Sequence, residues 1–158
     1  MAVLFSGGAY LEMRLQRMLT QTQRTNEFRT SWFNARRTLI HARRITEEFA
    51  TYVAEDGYGH VDFLFGKARM TVPRARHDQL RRLHGNAQVT AMHMADDLDE
   101  LSEFLDSQYQ PQIEAIFAKL NELQLPHTYD AVVLVARDIV SLYELLVQTI
   151  GDTEGFAA

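Results

Sequence analysis

One histidine and three carboxylates lie close together in the sequence, at spacings that place them on one face of a helix. Asp96, Asp97 and Glu100 follow His93 by three, four and seven residues. An imidazole and carboxylates so arranged could hold a divalent metal if a facing helix supplied further ligands. The di-iron bundle pattern, a Glu three residues before a His, does not occur. A divalent metal site is therefore an alternative, and the sequence predicts no cofactor.

A second pair, His41 and Glu48, lies one heptad apart in the basic part of the chain. A general base with an orienting carboxylate would use such residues, but no nucleophile or oxyanion donor lies near them. The sequence has no Gly-x-Ser-x-Gly, phosphate loop or dinucleotide fingerprint. It also has no cysteine, which excludes thiol nucleophiles, disulfides and Cys-ligated metals. We therefore expect a protein that is not an enzyme.

The formal net charge of −5 conceals a gradient along the chain. Residues 1–45 carry eight Arg and two Glu, residues 46–90 are balanced, and residues 91–158 carry two basic and thirteen acidic residues. Because arginines bind phosphate backbones, nucleic-acid binding is a second alternative. It is possible but not favoured, because the acidic half of the chain could neutralise these arginines internally. The residues concerned are Arg14, Arg17, Arg36, Arg37, Arg43 and Arg44.

The spacing of apolar residues in the first third predicts two helices. Leu11, Leu15 and Met18 predict a helix over 9–21. A polar run follows over 20–26, and the next apolar seam is out of phase with the first. These two features predict a break and then a long helix over 26–54, capped by Asn26. The second seam comprises Phe28, Trp32, Ala35, Leu39, Ala42, Thr46, Phe49 and Val53.

Alternating residues over 61–72 predict a β-hairpin, with Gly66 first in a two-residue turn. A short amphipathic helix is the alternative. A lone hairpin is marginal in water, so this segment must pack on the helices or on another chain.

The acidic part of the chain predicts three further helices, over 75–109, from Pro111 to Pro126, and over 129–150. The first would be about 50 Å long, whereas a globule of this size has a radius of gyration of about 15 Å. Either Gly85 breaks this helix or the molecule is elongated, and we expect the second.

The last of these helices is apolar around most of its circumference, as is typical of a helix at the centre of a core or in a subunit interface. Thr128 is expected to cap it and Gly151 to end it, which leaves a frayed tail.

These patterns together predict a single, mainly α domain, an elongated bundle of four to five helices with one β-hairpin. Its parts are an apolar N-terminal segment (1–8), a basic helical region (9–54), a hairpin or loop (57–73), an acidic helical region (75–150) and a tail (151–158).

Long apolar seams and a dipolar charge distribution favour self-association. We expect a structural or adaptor subunit, a homo-oligomer or part of a larger complex such as a virus particle or a secretion apparatus. The interface residues predicted for it are Val3, Leu4, Phe5, Phe28, Trp32, Phe33, Phe63, Phe65, Val133, Val140 and Val147.

The sequence also bears on location. The apolar run at the N-terminus is too short for the core of a signal peptide. Charges interrupt the most apolar helix, 129–150, so no membrane span is expected. A soluble protein in the cytoplasm or in a particle is the resulting expectation.

Overall fold

The computed structural model describes residues 2–58, 72–125 and 128–156, and side chains from residue 11 onward except that of residue 56. These ranges contain four α-helices and a 3-10 turn, so the predicted mainly helical bundle is confirmed. They contain no β-strand, and the predicted hairpin lies, except for Val72, outside them. None of the described helices is both long enough and apolar enough to span a bilayer. The elements are α1 (Ala2–Asp56), α2 (Arg74–Ser102), the 3-10 turn (Ser107–Tyr109), α3 (Gln110–Glu122) and α4 (Tyr129–Glu154).

Helix α1 forms one wall of the bundle and runs antiparallel to both α2 and α4. In its N-terminal half α1 contacts the C-terminal end of α2, where Arg24 donates a hydrogen bond to the carbonyl oxygen of Glu103. Near its C-terminus Arg76 at the start of α2 donates to the Tyr52 hydroxyl, at 3.2 Å. Helix α3 packs mainly on α4. The two long partners of α1 are therefore parallel to each other.

The core is built from the apolar seams that the sequence predicts. All eight residues of the 28–53 seam in α1 are buried. The seam of α2 is buried at Leu80, Leu83 and Leu98, and α4 contributes the largest set of buried residues of any helix. Helix α4 thus lies at the centre of the core, as its nearly all-round apolar pattern predicts.

The predicted break near residue 20 is wrong, because α1 is continuous over 55 residues, about 82 Å at 1.5 Å per residue. The polar run contains neither Gly nor Pro, the residues that interrupt helices most strongly. Its threonine hydroxyls instead donate to carbonyl oxygens one turn back, as in Thr22 to Met18 at 3.0 Å and Thr25 to Gln21 at 2.9 Å. Asn26 is accordingly an interior residue and not a cap.

The predicted helix over 75–109 ends earlier than expected, at Ser102. Asp106 has extended backbone angles, and its side chain accepts from the backbone N–H of Gln108, so it caps the 3-10 turn instead of continuing α2. Gly85 does not break α2, and the molecule is elongated, as expected.

Residues 151–156 pack on the bundle, which corrects the prediction of a frayed tail for this part of it, and residues 157 and 158 lie outside the described residues. Thr128 caps α4 as predicted, accepting from the N–H of Ala131. Gly151 lies inside the helix, which ends at Gly155 with a left-handed backbone, φ 71°. This turn directs Phe156 back onto Phe28, with ring centroids 5.0 Å apart. The last described residue is therefore part of the core.

Candidate functional site

The four residues of the predicted metal site share one face of α2 but do not form a cluster. His93, Asp96 and Glu100 are exposed, and the partly buried Asp97 accepts a hydrogen bond from the Thr38 hydroxyl on α1. Among the described residues no group of three or more His, Asp or Glu side chains is arranged to hold a metal ion. Asp97 meets the hydroxyl of Thr38 on the facing helix, so the described residues supply no further ligand, and the metal alternative stays a prediction.

His41, which shares a helix face with Glu48 in the sequence, contacts an arginine. Its Nδ1 lies 3.0 Å from the guanidinium Nη2 of Arg44. Both His41 and Glu48 are exposed on α1. An exposed imidazole beside an arginine offers no geometry for a general base oriented by a carboxylate.

Five of the predicted interface residues pack inside the chain's own core. Each is at most 9% exposed, because these residues lie where α1 and α3 pack on α4. The interface assigned to these five is therefore internal. They are Phe28, Trp32, Val133, Val140 and Val147.

The other predicted interface residues have different positions. Phe33 is 47% exposed and remains available. Phe63 and Phe65 lie outside the described residues, and Val3, Leu4 and Phe5 belong to α1 but their side chains are not described.

The arginines predicted to contact nucleic acid are all exposed on α1. Arg43 pairs with Glu144 on α4, Arg36 lies over the Trp32 ring at 5.5 Å, and Arg37 donates to Asn34 at 2.8 Å. Internal neutralisation thus accounts for one of the six within the described residues. Nucleic-acid binding through the others stays a prediction, which a mobility shift at low salt would check.

The first part of α1 extends beyond the bundle as a single helix. Every residue from 11 to 27, which we call the arm, is exposed. Leu11, Leu15 and Met18 are 57–59% exposed, and Leu19 is 69% exposed. The first buried residue of α1 is Phe28, and just before it Arg24 of the arm contacts the end of α2, at the carbonyl oxygen of Glu103 and over the Phe104 ring. The arm therefore presents apolar side chains that no described part of the chain covers.

The apolar residues of the arm continue along the outside of the bundle. At 100° per residue, five exposed residues of α1 lie within about 60° of one another and about 130° from the core seam. We call them the outer stripe: Leu11, Leu15, Met18, Phe33 and Ile40. The sequence predicts the change of phase correctly, but the phase changes within one continuous helix.

Arginines flank the part of the outer stripe that runs along the bundle. Phe33 and Ile40 lie in a shallow groove of about 630 Å³ lined also by Arg36, Arg37 and Arg44. Apolar side chains with flanking guanidinium groups suit a partner that offers apolar and acidic residues together.

A second unpartnered surface lies on α2, on the side opposite its buried seam. Val89 is 52% exposed and Met92 65% exposed. The sequence predictions missed this surface, although its steps of four and three residues are visible in the sequence. We call it the outer face of α2: Gly85, Val89, Met92, Asp96, Asp99 and Glu103.

The described residues thus present an apolar and basic surface on α1 and an apolar and acidic surface on α2, and α4 also exposes Leu134 and Leu145. No protein-family model matches the sequence, and no similar curated protein or solved structure was found.

Proposed function

We propose that this chain is a non-enzymatic structural or adaptor subunit that self-associates through the outer stripe of α1. The observation that carries the proposal is the arm, a helical segment with three apolar residues in register and no covering element among the described residues. Exposed apolar surface arranged in a line is typical of an interaction site.

The stability of the arm supports this proposal. Isolated helices are marginal in water, and most helical stability in proteins comes from tertiary packing of an apolar face. The arm includes Thr20, Thr22 and Thr25, a residue type with low helix propensity. A partner that covered the stripe would supply the packing that the arm otherwise lacks.

The magnitudes favour association that depends on concentration. Burying one large apolar side chain contributes about 1.5–3 kcal/mol, so covering the five residues supplies on the order of 10 kcal/mol. Association costs about 4–15 kcal/mol in lost translational and rotational freedom. The two are comparable, so we expect a dissociation constant within reach of light scattering and native mass spectrometry.

The test is the mass of the full chain over a range of concentrations, by both methods. The wild type should associate, and a variant with Leu11→Ser, Leu15→Ser and Met18→Ser should remain a monomer. The control carries Gln16→Ser and Gln21→Ser, which lower helix propensity away from the stripe, and it should associate like the wild type. A wild type that is a monomer at every concentration, or a triple variant that associates normally, contradicts the proposal.

Two finer expectations belong to the same proposal. One is membership of a larger particle or complex, such as a virus particle or a secretion apparatus. The other is the β-hairpin over 61–72. Carbon chemical shifts of these residues in the labelled protein would test the hairpin, since strand and helix move Cα shifts in opposite directions.

A further inference from the structure

The outer face of α2 matches the arm in spacing, length and chemical character. We infer that the arm of one copy docks in parallel along the outer face of α2 of a second copy. This inference rests on the proposed self-association and names the surface that receives the arm.

The two stripes have the same spacing. Along α2 the outer face advances by four, three, four, three and four residues from Gly85 to Glu103. The same steps taken from Leu11 end at Arg29, so each stripe spans 18 residues, about 27 Å. Helices whose contact residues repeat at these steps can interdigitate along their whole length.

The chemical character of the two stripes also matches, provided that the helices are parallel. Leu11, Leu15 and Met18 then lie opposite Gly85, Val89 and Met92, and Thr22 and Thr25 lie opposite Asp96 and Asp99. Arg29 lies opposite Glu103. An antiparallel pairing would instead place Leu11 at Glu103 and Arg29 at Gly85.

Gly85 supports close approach of a second helix at this face. It lies inside α2, and a Cβ added there would meet no atom within 4 Å among the described residues. Its φ is not positive, so neither the backbone nor the surrounding chain requires a glycine. Glycine in a helix interior is less stable than alanine, whereas it allows a neighbouring helix to approach closely.

The charges of the outer face of α2 complement those of the arm. Asp96, Asp99 and Glu103 form no ion pair with any described side chain. On α4, Glu144 pairs with Arg43 and Asp138 lies 3.3 Å from the ammonium group of Lys119, whereas Asp130 and Asp152 form no ion pair with a described side chain. The guanidinium group of Arg29 lies over the Phe156 ring and forms no ion pair with a described carboxylate. The unpaired acid on α2 and the unpaired Arg29 at the bundle end of the arm are opposite in charge, which supports α2 as the receiving helix.

The arm and the receiving face are different surfaces, and each copy offers both. Two copies can therefore exchange arms about a two-fold axis and close as a dimer, or copies can be added in sequence until a ring closes or a filament grows. A mass of at least a dimer is expected at high concentration.

Two blocked variants test the inference. Leu15→Glu with Met18→Glu blocks the arm and leaves α2 intact, whereas Val89→Arg with Met92→Arg blocks α2 and leaves the arm intact. Each alone should be a monomer with unchanged circular dichroism. An equimolar mixture should associate, since one intact arm meets one intact receiving face and the altered pair is oppositely charged.

The outcomes separate the two claims. If the blocked arm does not change association, the proposed self-association fails. If the blocked arm is a monomer but the α2 variant associates like the wild type, only the docking on α2 is overturned. A mixture that stays monomeric also overturns it.

The orientation has its own test, because the chain has no native cysteine. Arg29→Cys protein mixed with Glu103→Cys protein should form an intermolecular disulfide under mild oxidation. Arg29→Cys mixed with Gly85→Cys should not, and the reverse result would overturn the parallel pairing.

Gly85→Ala should change two measured properties in opposite directions, weakening association and raising the stability of the monomer. The added methyl group should weaken association about tenfold by overpacking the contact. In the blocked-arm background it should raise the melting temperature of the monomer by about 2–4 °C. Unchanged association with raised stability would overturn close packing at this residue.

Discussion

The indole Nε1 of Trp32 donates a 2.8 Å hydrogen bond to the carbonyl oxygen of Val147 and so joins α1 to α4 inside the core. Trp32 is 2% exposed. Trp32→Phe should lower the free energy of unfolding by about 1 kcal/mol for the lost bond, with a further loss for the smaller ring. Trp32→Ala should cost about 3–5 kcal/mol. Urea unfolding followed by circular dichroism measures both, and a Trp32→Phe variant as stable as the wild type would contradict a role for the hydrogen bond.

Phe156 should be as important for stability as a residue in the middle of a helix. It is 5% exposed and contacts Phe28 and Trp32, with ring centroids 5.0 and 5.8 Å away. Phe156→Ala should lower the free energy of unfolding by about 3–5 kcal/mol. The control Glu154→Ala, an exposed residue, should change it by less than about 0.5 kcal/mol. Chemical denaturation of both variants gives the comparison, and a Phe156 variant as stable as the control would refute the packing.

Removing the hydroxyl of Tyr143 should not destabilise the protein. The side chain is fully buried, and its hydroxyl has no hydrogen-bond partner among the described residues. Burial raises the pKa of Tyr143 far above its ordinary value, and the nearby Asp97 raises it further. Tyr143→Phe should therefore leave stability unchanged or raise it by about 1 kcal/mol, since a buried polar atom without a partner is costly. A clear loss in thermal melting would indicate that the hydroxyl is bonded.

Stability should fall in mild acid because of His84. Its ring packs edge to face against the Phe49 and Tyr129 rings, with centroids 6.4 and 6.2 Å away, and burial lowers its pKa below the ordinary 6.5. Below pH 6.5 the unfolded chain gains the proton before the folded chain does, so stability is lost as the pH falls towards the folded pKa. His84→Gln should flatten the stability curve between about pH 7 and 5. His93→Gln, an exposed control on the same helix, should keep the wild-type slope.

Periodicity predicts the core well and the ends of elements less well. The seam from Phe28 to Val53 is buried as predicted, because burial follows apolar spacing directly. The break predicted near residue 20 is wrong. The apolar residues move to another side of α1 there because the helix passes from solvent into the bundle, and a continuous helix can do this without a break. The end of α2 is set by local hydrogen bonds that a favourable apolar pattern does not reveal: after Ser102 the backbone bonds three residues back, as in Leu105 to Ser102, and Asp106 then caps the 3-10 turn.

The candidate site is harder to predict, because a pattern of apolar residues does not reveal what covers it. Val133 and Phe33 both read as interface residues, yet α1 and α3 cover the face of α4 that carries the first, and Phe33 stays 47% exposed. The outer face of α2 was missed because its acidic half reads as an ordinary solvated surface. Only the positions of the neighbouring helices separate these cases.

Because α1 is continuous, the number of residues between the arm and the bundle fixes the direction in which the arm stripe faces relative to the bundle. One residue inserted near Thr22 would rotate the arm stripe by about 100° relative to the groove at Phe33 and Ile40. Seven inserted residues would restore the direction to within about 20° and lengthen the arm by about 10 Å. The number of residues in the arm would therefore determine the angle between neighbouring copies. Insertions of seven residues would change the spacing between copies and nearly keep their relative orientation.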